Sequence, residues 1–189
     1  SKGDMLRADL ALRAASEAKD LLIKVISVDG GSDLTFNRAL KDQGVEVIVQ
    51  RGSTMGAARR EAIEHAVNSG FTTIVYTELE KKGFIPDIPK LCQPIEEGQA
   101  SIVIPHRKDL SSYPEFQQHV ESLGNEFWRE LTGLKLDLFF GPRIFSSRVA
   151  GYFLNYKGEY GDTWDSIFIP ILRAFLNKET ICSSPTSFN

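Results

Sequence analysis

Apolar residues recur along the chain at two spacings, and the two kinds of segment alternate. Short runs rich in β-branched residues are typical of buried strands, and they occur at residues 22–28, 45–50, 72–76, 100–104, 137–145 and 180–183. Apolar residues three or four positions apart predict helices at residues 5–19, 34–43, 57–68, 88–97, 114–132 and 147–154, with a last helix opening near residue 162. The alternation predicts a single α/β domain over residues 1–189, with three α/β/α layers and a mostly parallel central sheet.

The first predicted element is a helix, whereas a doubly wound α/β domain normally starts with a strand. We therefore expect a first strand ahead of Ser1, so that the chain as given lacks the first strand of its fold. The alternative is a fold that begins with its helix.

Two of the later helices carry features that predict more than their presence. Pro170 predicts a kink in the last helix, or marks the place where that helix truly starts. The helix at residues 114–132 has large apolar residues at three- and four-residue spacing, which assigns them to the core. These residues are Phe116, Val120, Leu123, Phe127 and Leu131.

Composition narrows the classes of protein that fit. The chain has 189 residues and a formal net charge of −3, which argues against a charged tail and against a broad nucleic-acid-binding face. Cys92 and Cys182 lack metal-type spacing and are typical of reduced core thiols in a cytosolic protein. No apolar run reaches the roughly 18 residues of a membrane-spanning helix. We expect a cytoplasmic protein, and a peripheral contact with a membrane surface remains compatible with this composition.

Two acids directly follow the predicted strand at residues 72–76. Glu78 and Glu80 are separated by one residue, and the carboxyl ends of parallel strands are where open α/β folds bind ligands. Hard cations take oxygen ligands, and Mg²⁺ is usually held by one or two carboxylates together with substrate phosphates. The pattern is compatible with a divalent metal site. The alternative is a solvated charged turn that includes Lys81 and Lys82.

Two glycine-containing loops suit a nucleotide. Asp29 directly follows the strand at residues 22–28 and lies two residues before Gly31. Its carboxylate is suited to accept hydrogen bonds from a base or a ribose, or alternatively to form an Asx turn. Arg51 and Gly56 bound a turn that leads into the helix at residues 57–68, and a helix N-terminus favours a phosphate. The spacing in this turn matches neither a Walker loop nor a Rossmann fingerprint.

Three further polar residues are candidates for the same chemistry. Arg107 follows the strand at residues 100–104 and is either a phosphate contact or part of an exposed turn. Asp162 and Asp165 open the last helix and are candidates for a catalytic base, or alternatively form only a capping box.

The order of these motifs resembles that of the family-2 glycosyltransferases, which have the GT-A nucleotide-diphospho-sugar fold. The later motifs are similar to the polyprenyl-phosphate sugar transferase branch of that family. Two departures stand out, since the family's usual Thr is absent from the first motif and Glu replaces Asp in the metal motif. The motifs are residues 28–33 (Val-Asp-Gly-Gly-Ser-Asp), 51–59 (Arg-Gly-Ser-Thr-Met-Gly-Ala-Ala-Arg), 78–80 (Glu-Leu-Glu), 84–91 (Phe-Ile-Pro-Asp-Ile-Pro-Lys-Leu), 101–107 (Ser-Ile-Val-Ile-Pro-His-Arg), 133–137 (Gly-Leu-Lys-Leu-Asp) and 140–145 (Phe-Gly-Pro-Arg-Ile-Phe).

The resemblance implies a nucleotide-sugar donor and a saccharide, lipid-phosphate or small-molecule acceptor. It implies that Asp29 contacts the base or ribose and that Arg107 touches phosphate. Glu78 and Glu80 would hold Mg²⁺ or Mn²⁺ on the diphosphate, with Glu80 the more direct ligand. Asp165, or else Asp162, would serve as general base, and a phosphate acceptor would need none.

Three other functions are compatible with parts of the pattern. A glycosyltransferase-like binding module with a weakened metal site would retain the fold and lose the chemistry. A sugar nucleotidyltransferase would share the fold, although its opening Gly-rich loop with Arg and Lys is not seen here. An unrelated flavodoxin-like domain would leave the paired acids unexplained.

Overall fold

The computed structural model describes residues 2–81 and 83–188 of the chain. The helices are α1 (Lys2–Asp20), α2 (Leu34–Asp42), α3 (Met55–Asn68), α4 (Ile88–Glu96), α5 (Glu115–Thr132), α6 (Gly151–Leu154) and α7 (Asp165–Leu176), with 3₁₀ turns at Ile85–Asp87 and Ser147–Val149. The strands are β1 (Ile26–Asp29), β2 (Glu46–Val49), β3 (Thr73–Tyr76), β4 (Ile102–His106), β5 (Arg143–Ser146) and β6 (Ile181–Pro185). Strands and helices alternate as the sequence predicts.

The strands form two sheets. β1 and β2 pair in parallel, and Ile26 of β1 lies opposite Glu46 of β2. The other four strands are ordered β3-β5-β4-β6, and β5 is antiparallel to both of its neighbours. β4 and β6 are parallel, so three strands of this sheet share one direction and only β5 opposes them. The α/β prediction is confirmed, with the difference that the strands are divided between two sheets.

Both faces of the four-stranded sheet are covered. Ile102, Ile104 and Phe145 face a core shared with helices α3, α6 and α7. Val103 and Ile144 face the other side and pack with α1 and α4. Successive side chains of a strand point to opposite faces, and both sets here are apolar because both faces are buried. The result is the three-layer α/β/α arrangement that the alternation predicts.

Some predicted boundaries were wrong for local reasons. β1 begins only at Ile26, because Leu22 has a positive φ of 58° and lies in a turn after α1. β5 begins at Arg143, since the buried Arg143 guanidinium donates to the carbonyl oxygens of Leu138, Phe140 and Pro142 and so holds that segment in a compact turn. Pro170 does not mark the start of α7, which begins five residues earlier at Asp165.

The prediction that the apolar stripe of α5 belongs to the core is wrong. The stripe residues are 42–81% exposed. The side of α5 that faces the protein is mixed: Glu121 is buried against Arg107, Gly124 lies under the ring of Phe139, and the half-buried Trp128 packs against the core. The helix therefore packs through hydrogen bonds and close contact and leaves its apolar side in solvent.

Replacing Phe127 by Gln should change the free energy of unfolding by no more than about 0.5 kcal/mol, because the side chain is 65% exposed. The matched control is Phe145→Ala, at a ring with 0% exposure, which should lose about 3–5 kcal/mol. Urea denaturation of both variants makes the comparison. A loss above about 2 kcal/mol for Phe127→Gln would mean that the stripe is covered in solution.

Two smaller expectations concern the thiols and the membrane. Cys92 and Cys182 are both free thiols, and burial raises the pKa of Cys92 to about 11. Reactivity requires the thiolate, so Cys92 is an inert core residue.

Within residues 2–81 and 83–188, none of the helices has the length and apolar character needed to cross a bilayer.

Candidate functional site

Asp29 organises the turn at the carboxyl end of β1. Its Oδ1 accepts from the backbone N–H of Ser32 at 2.9 Å, and its Oδ2 accepts from the amide of Asn37 at 2.8 Å. Gly31 between them has φ of +112°, a conformation that a side chain would strain. Partial burial opposes ionisation, but these hydrogen bonds outweigh it and lower the pKa of Asp29. The carboxylate is therefore ionised and held in a fixed position.

The two acids after β3 have different environments. Glu80 accepts from Arg7 of α1 at 2.7 Å; partial burial would raise the pKa of its carboxyl, but the arginine outweighs this and lowers it. Glu78 lies against Gly141, where an added Cβ would come within 2.8 Å of its Oε1. Its Oε2 is buried and has no hydrogen-bond partner, while the Lys81 ammonium lies 3.6 Å away. Glu78 thus keeps an unused acceptor.

The residues present fit a cation that is shared with a ligand, and do not fit one held by protein alone. Within the described residues there is no group of three or more His, Cys, Asp or Glu side chains able to hold a metal ion. Two carboxylates, with a buried oxygen on Glu78 that has no hydrogen-bond partner, match the usual Mg²⁺ arrangement, in which phosphates and waters supply the remaining ligands. Glu80 would have to give up Arg7 to take part.

Three of the predicted site residues line one cleft. The cleft has a volume of about 940 Å³ and runs between β1 and β3, with α1, α3 and α4 around it. Asp29, Glu78 and Glu80 all belong to its lining, as do Tyr76 and Arg59. The strand ends therefore bring together the acids that the sequence singled out, while their roles stay predictions.

Backbone N–H groups of the glycine-containing turn before α3 donate hydrogen bonds to acceptors within the protein. The backbone N–H groups of Arg51 and Gly52 donate to the Glu61 carboxylate at 2.9 and 2.8 Å. The N–H of Gly56 donates to the carbonyl oxygen of Asp162 at 2.8 Å. Gly56 is also required by space, since a Cβ there would lie 2.0 Å from Asp162 Oδ1. The phosphate role of Arg51 and Gly56 stays a prediction, and these three N–H groups already have partners.

Asp162 fastens the loop before α7 to α3. Its carboxylate accepts two hydrogen bonds from the Arg60 guanidinium, at 2.6 and 2.8 Å, and one from the Thr54 hydroxyl. The Arg60 contact lowers the pKa of Asp162 to about 2, in spite of partial burial. Asp162 is itself in the left-handed region, with φ of 57°. These contacts give Asp162 a structural role, in which it holds the loop before α7 against α3. A role as general base stays a prediction.

The carboxylate of Asp165 accepts hydrogen bonds from the segment that precedes α7. Oδ1 accepts from the backbone N–H of Thr163 at 2.6 Å, and Oδ2 accepts from the Tyr156 hydroxyl. Burial, together with this hydrogen bond, raises the pKa of Tyr156 to about 12. These contacts lie ahead of α7, whose N-cap residue is Trp164 and makes no side-chain capping hydrogen bond. As for Asp162, a catalytic role for Asp165 stays a prediction.

Replacing Asp162 by Asn should cost about 2 kcal/mol at neutral pH, since a hydrogen-bonded charge is lost. A carboxyl whose pKa falls from 3.8 to about 2 on folding contributes stability above pH 4 and loses it as the pH drops towards 2. The gap between the wild type and the variant should therefore be constant from pH 7 to about 4 and shrink below that. Urea denaturation across this range measures it, and a gap that does not depend on pH would contradict the Arg60 pairing.

Arg107 lies in the interior, with a side chain 2% exposed. Its guanidinium donates to both oxygens of Asp137, at 2.8 and 2.7 Å, and to Glu121 at 2.7 Å. Of the two alternatives drawn from the sequence, the exposed turn is excluded by this burial. Contact between Arg107 and a phosphate stays a prediction. The guanidinium already donates to three carboxylate oxygens of the protein.

Arg59 is a residue whose importance the sequence gave little sign of. Its guanidinium donates to the Tyr76 hydroxyl at 2.7 Å, to the carbonyl oxygen of Thr163 at 2.6 Å and to the Ser166 hydroxyl at 2.7 Å. It also lies 5.3 Å from the ring centroids of both Tyr76 and Trp164. Arg59 thereby joins the end of β3 to the start of α7. Its only sequence signal is its place near the usual Asn of the second motif.

Comparison of the chain with known proteins supports the fold. No protein-family model matches the sequence, and no curated protein matches it either. Glucosyl-3-phosphoglycerate synthase of Mycobacterium tuberculosis superposes with a TM-score of 0.73 at 12% identity, covering 97% of this chain and 68% of that one. A complex of that synthase with Mn²⁺, uridine-diphosphate-glucose and phosphoglyceric acid gives 0.71 at 12% identity, with 94% and 66% covered.

A third similar structure comes from Desulfovibrio desulfuricans G20 and is described as a nucleotide-diphospho-sugar transferase. It superposes with a TM-score of 0.55 at 12% identity, covering 96% of this chain and 67% of its own. The chain thus spans about two thirds of the length of the structures it resembles. The GT-A-like fold expected from the motifs is confirmed.

Proposed function

We propose that this chain is the donor-binding part of a metal-assisted glycosyltransferase that uses a nucleotide-diphosphate sugar. The observation that carries the proposal is that Asp29, Glu78 and Glu80 line one cleft at the carboxyl ends of β1 and β3. Open α/β sheets bind ligands at that edge. The fold is that of structures with bound uridine-diphosphate-glucose and Mn²⁺, and this supports the choice of donor class.

Each acid has a separate task in this proposal. Asp29 is ionised and fixed by Ser32 and Asn37, so it orients the hydroxyls of the ribose or the edge of the base. Glu78 and Glu80 hold Mg²⁺ or Mn²⁺ together with the diphosphate oxygens. The cation would neutralise the charge that develops on the departing nucleoside diphosphate.

Donor binding would also involve Arg7. In this structure its guanidinium is 2.7 Å from Glu80. Binding of a cation at Glu80 would release the arginine beside the diphosphate, where a guanidinium is a strong partner for phosphate oxygens. The acceptor in this proposal is a saccharide, a lipid phosphate or a small molecule. A hydroxyl acceptor needs a base, for which Asp165 and Asp162 are the candidates, and a phosphate acceptor needs none.

One observation favours a second candidate, a binding module that has kept the fold without the transfer chemistry. Glu80, one of the two proposed metal ligands, is engaged by Arg7. Such a module would bind a nucleotide with little dependence on a cation.

The two candidates are separated by calorimetric titration with a panel of nucleoside diphosphates and nucleotide sugars, uridine nucleotides first, with and without Mn²⁺. For a transferase we expect one nucleotide to bind with Mn²⁺ and to stabilise the fold by about 2.7 kcal/mol at a ligand concentration 100 times Kd. Glu80→Ala should lose the Mn²⁺-dependent part. Glu130→Ala, on the exposed side of α5, is the matched control and should leave it unchanged.

Sugar transfer itself is followed as release of the nucleoside diphosphate in the presence of candidate acceptors. Metal-dependent binding with transfer supports the proposal. Metal-independent binding without transfer supports the binding module. Absence of binding by every nucleotide in the panel would overturn both.

A further inference from the structure

The apolar stripe of α5 is continuous from the first turn of the helix to the last. Its members Phe116, Val120, Leu123, Phe127 and Leu131 are each 42–81% exposed. At 1.5 Å of rise per residue, the stripe is about 22 Å long. Single exposed apolar residues need no explanation, whereas a continuous exposed apolar surface marks an interaction site.

The area of the stripe meets the requirement of a small protein interface. Two of its five members are phenylalanines. Since an aromatic side chain buries about 150–250 Å², the exposed parts of the five side chains together offer roughly 500 Å². Two such stripes facing each other would remove about 1,000 Å² from water, which is the lower limit for a specific protein–protein interface. Side chains at the margins of the stripe would add to this area.

The spacing of the stripe is that of a seam between two helices. Its members follow one another at steps of 4, 3, 4 and 4 residues, and alternating steps of three and four are typical of helices that pack side by side. The order is also nearly symmetric about Leu123. In an antiparallel pair of α5 helices, Leu123 would contact its own copy, Val120 would contact Phe127, and Phe116 would contact Leu131. A two-fold interface needs this self-complementary order.

Polar residues beside the stripe favour the antiparallel direction. His119, Glu126 and Glu130 are seven and four residues apart and so lie along one side of the stripe. In an antiparallel pair each His119 would lie between Glu126 and Glu130 of the second copy, where its ring N–H can donate to a carboxylate. Arg129 contacts both glutamates within its own chain, and the three side chains together keep a net negative charge. The match between imidazole and carboxylates is lost when the two helices run parallel.

The charge of α5 disfavours a lipid surface as the partner. The helix contains four glutamates, and Arg129 is its only Arg or Lys. Helices that lie in a membrane interface carry many Lys and Arg side chains on their polar face, and the headgroups of anionic lipids attract basic segments. A second copy of α5 therefore fits the stripe better than a membrane does.

We infer that the stripe of α5 binds the same stripe on a second copy of this chain, in an antiparallel two-fold dimer with Leu123 on the axis. This inference goes beyond the proposed function and does not depend on it. None of the five stripe residues lines the cleft between β1 and β3, so the dimer leaves both clefts open.

Sedimentation equilibrium over a range of protein concentrations tests the dimer. We expect a monomer–dimer equilibrium with a Kd in the micromolar range, as fits an interface of this size. Leu123→Gln should raise this Kd by at least about 30-fold, the loss typical of a central interface residue. The matched control is Leu176→Gln on α7, since Leu176 is 68% exposed and Leu123 is 63% exposed. It should leave the Kd within about twofold.

Two results of this measurement would overturn the inference. One is a chain that stays monomeric up to about 1 mM, because a Kd above that value corresponds to no useful affinity. The other is self-association that Leu123→Gln and Leu176→Gln weaken equally, which would place the contact elsewhere. The urea comparison of Phe127→Gln described above applies to protein diluted below the Kd, where the stripe is exposed in the monomer.

A charge exchange tests the direction of the two helices. His119→Glu would place a third acid beside Glu126 and Glu130 of the second copy, and should raise the Kd about tenfold at low salt. Adding Glu126→Lys to the same chain should restore the Kd to within about threefold of the wild type. A double variant that binds no better than His119→Glu alone would overturn the antiparallel arrangement.

Co-sedimentation with vesicles of phosphatidylcholine and phosphatidylserine tests the lipid alternative. We expect no binding of the chain to these vesicles. Binding that Leu123→Gln abolishes would mean that the stripe contacts a membrane, and would overturn the inference. All of these measurements are made without a nucleotide, so a failure of nucleotide binding would leave their outcome unchanged.

Discussion

Replacing Arg107 by Met should destabilise the fold by about 3–5 kcal/mol, which is a large part of the stability of an ordinary domain. The guanidinium is buried and contacts Asp137 and Glu121 at 2.7 Å each. Met fills similar space but leaves two carboxylates without their cation. Burial would raise the pKa of one of them, Asp137, and contacts with Arg107, helped by Asn125, keep it low. Urea denaturation measures the loss.

The control for this variant is Arg129→Met. Arg129 pairs with Glu126 and Glu130 on the exposed side of α5, where the arginine side chain is 48% exposed. Loss of an exposed pair should cost less than about 1 kcal/mol. If Arg107→Met cost no more than this control, Asp137 and Glu121 would have to gain water when the arginine is removed, and the packing of α5 described above would be wrong.

The second large effect is expected at Glu78. On the proposed function, Glu78→Gln should slow sugar transfer by about 10²- to 10³-fold, comparable to the removal of one stabilising group from a developing charge. Gln has nearly the same shape and keeps the close approach to Gly141, so the free energy of unfolding should change little. The measurement is the rate of nucleoside diphosphate release at saturating donor and Mn²⁺.

The control for this measurement is a substitution of another acid in the same cleft. Glu96→Gln changes another acid that lines the same cleft, on α4, and should leave transfer within about twofold, a change of about 0.4 kcal/mol. If both substitutions reduced transfer equally, the effect would come from the total charge of the cleft. If neither did, Glu78 would have no part in holding the cation.

The secondary structure was predictable because the signals are local. Residues 72–76 and 100–104 are short β-branched runs, and they contain β3 and most of β4. The acids of the candidate site were found for a related reason: Asp29, Glu78 and Glu80 follow strands, and strand ends of one direction share an edge. A one-dimensional pattern is sufficient to predict that much.

The face of α5 was not predictable from its own sequence. The helical period shows that one side is apolar, but it does not show which side the rest of the protein covers. That choice depends on Arg107, which lies 14 residues before Glu121 in the chain and needs buried acceptors. The Arg60–Asp162 contact spans 102 residues. Such pairs follow from the tertiary arrangement: the sequence singled out Arg107 and Asp162, but it did not indicate their partners Glu121 and Arg60.

The order of strands in the larger sheet has a consequence for synthesis on the ribosome. β4 lies between β5 and β6, and the hydrogen bond from Ser183 to the carbonyl oxygen of Ile104 joins residues 79 positions apart. A nascent chain that has not yet reached Ile181 would leave β4, a largely buried strand of five residues, with an open edge that is prone to pair with other chains. Closing so long a loop is also slow. The larger sheet is therefore complete only after β6 has been synthesised, and products truncated ahead of β6 should depend on chaperones to remain soluble.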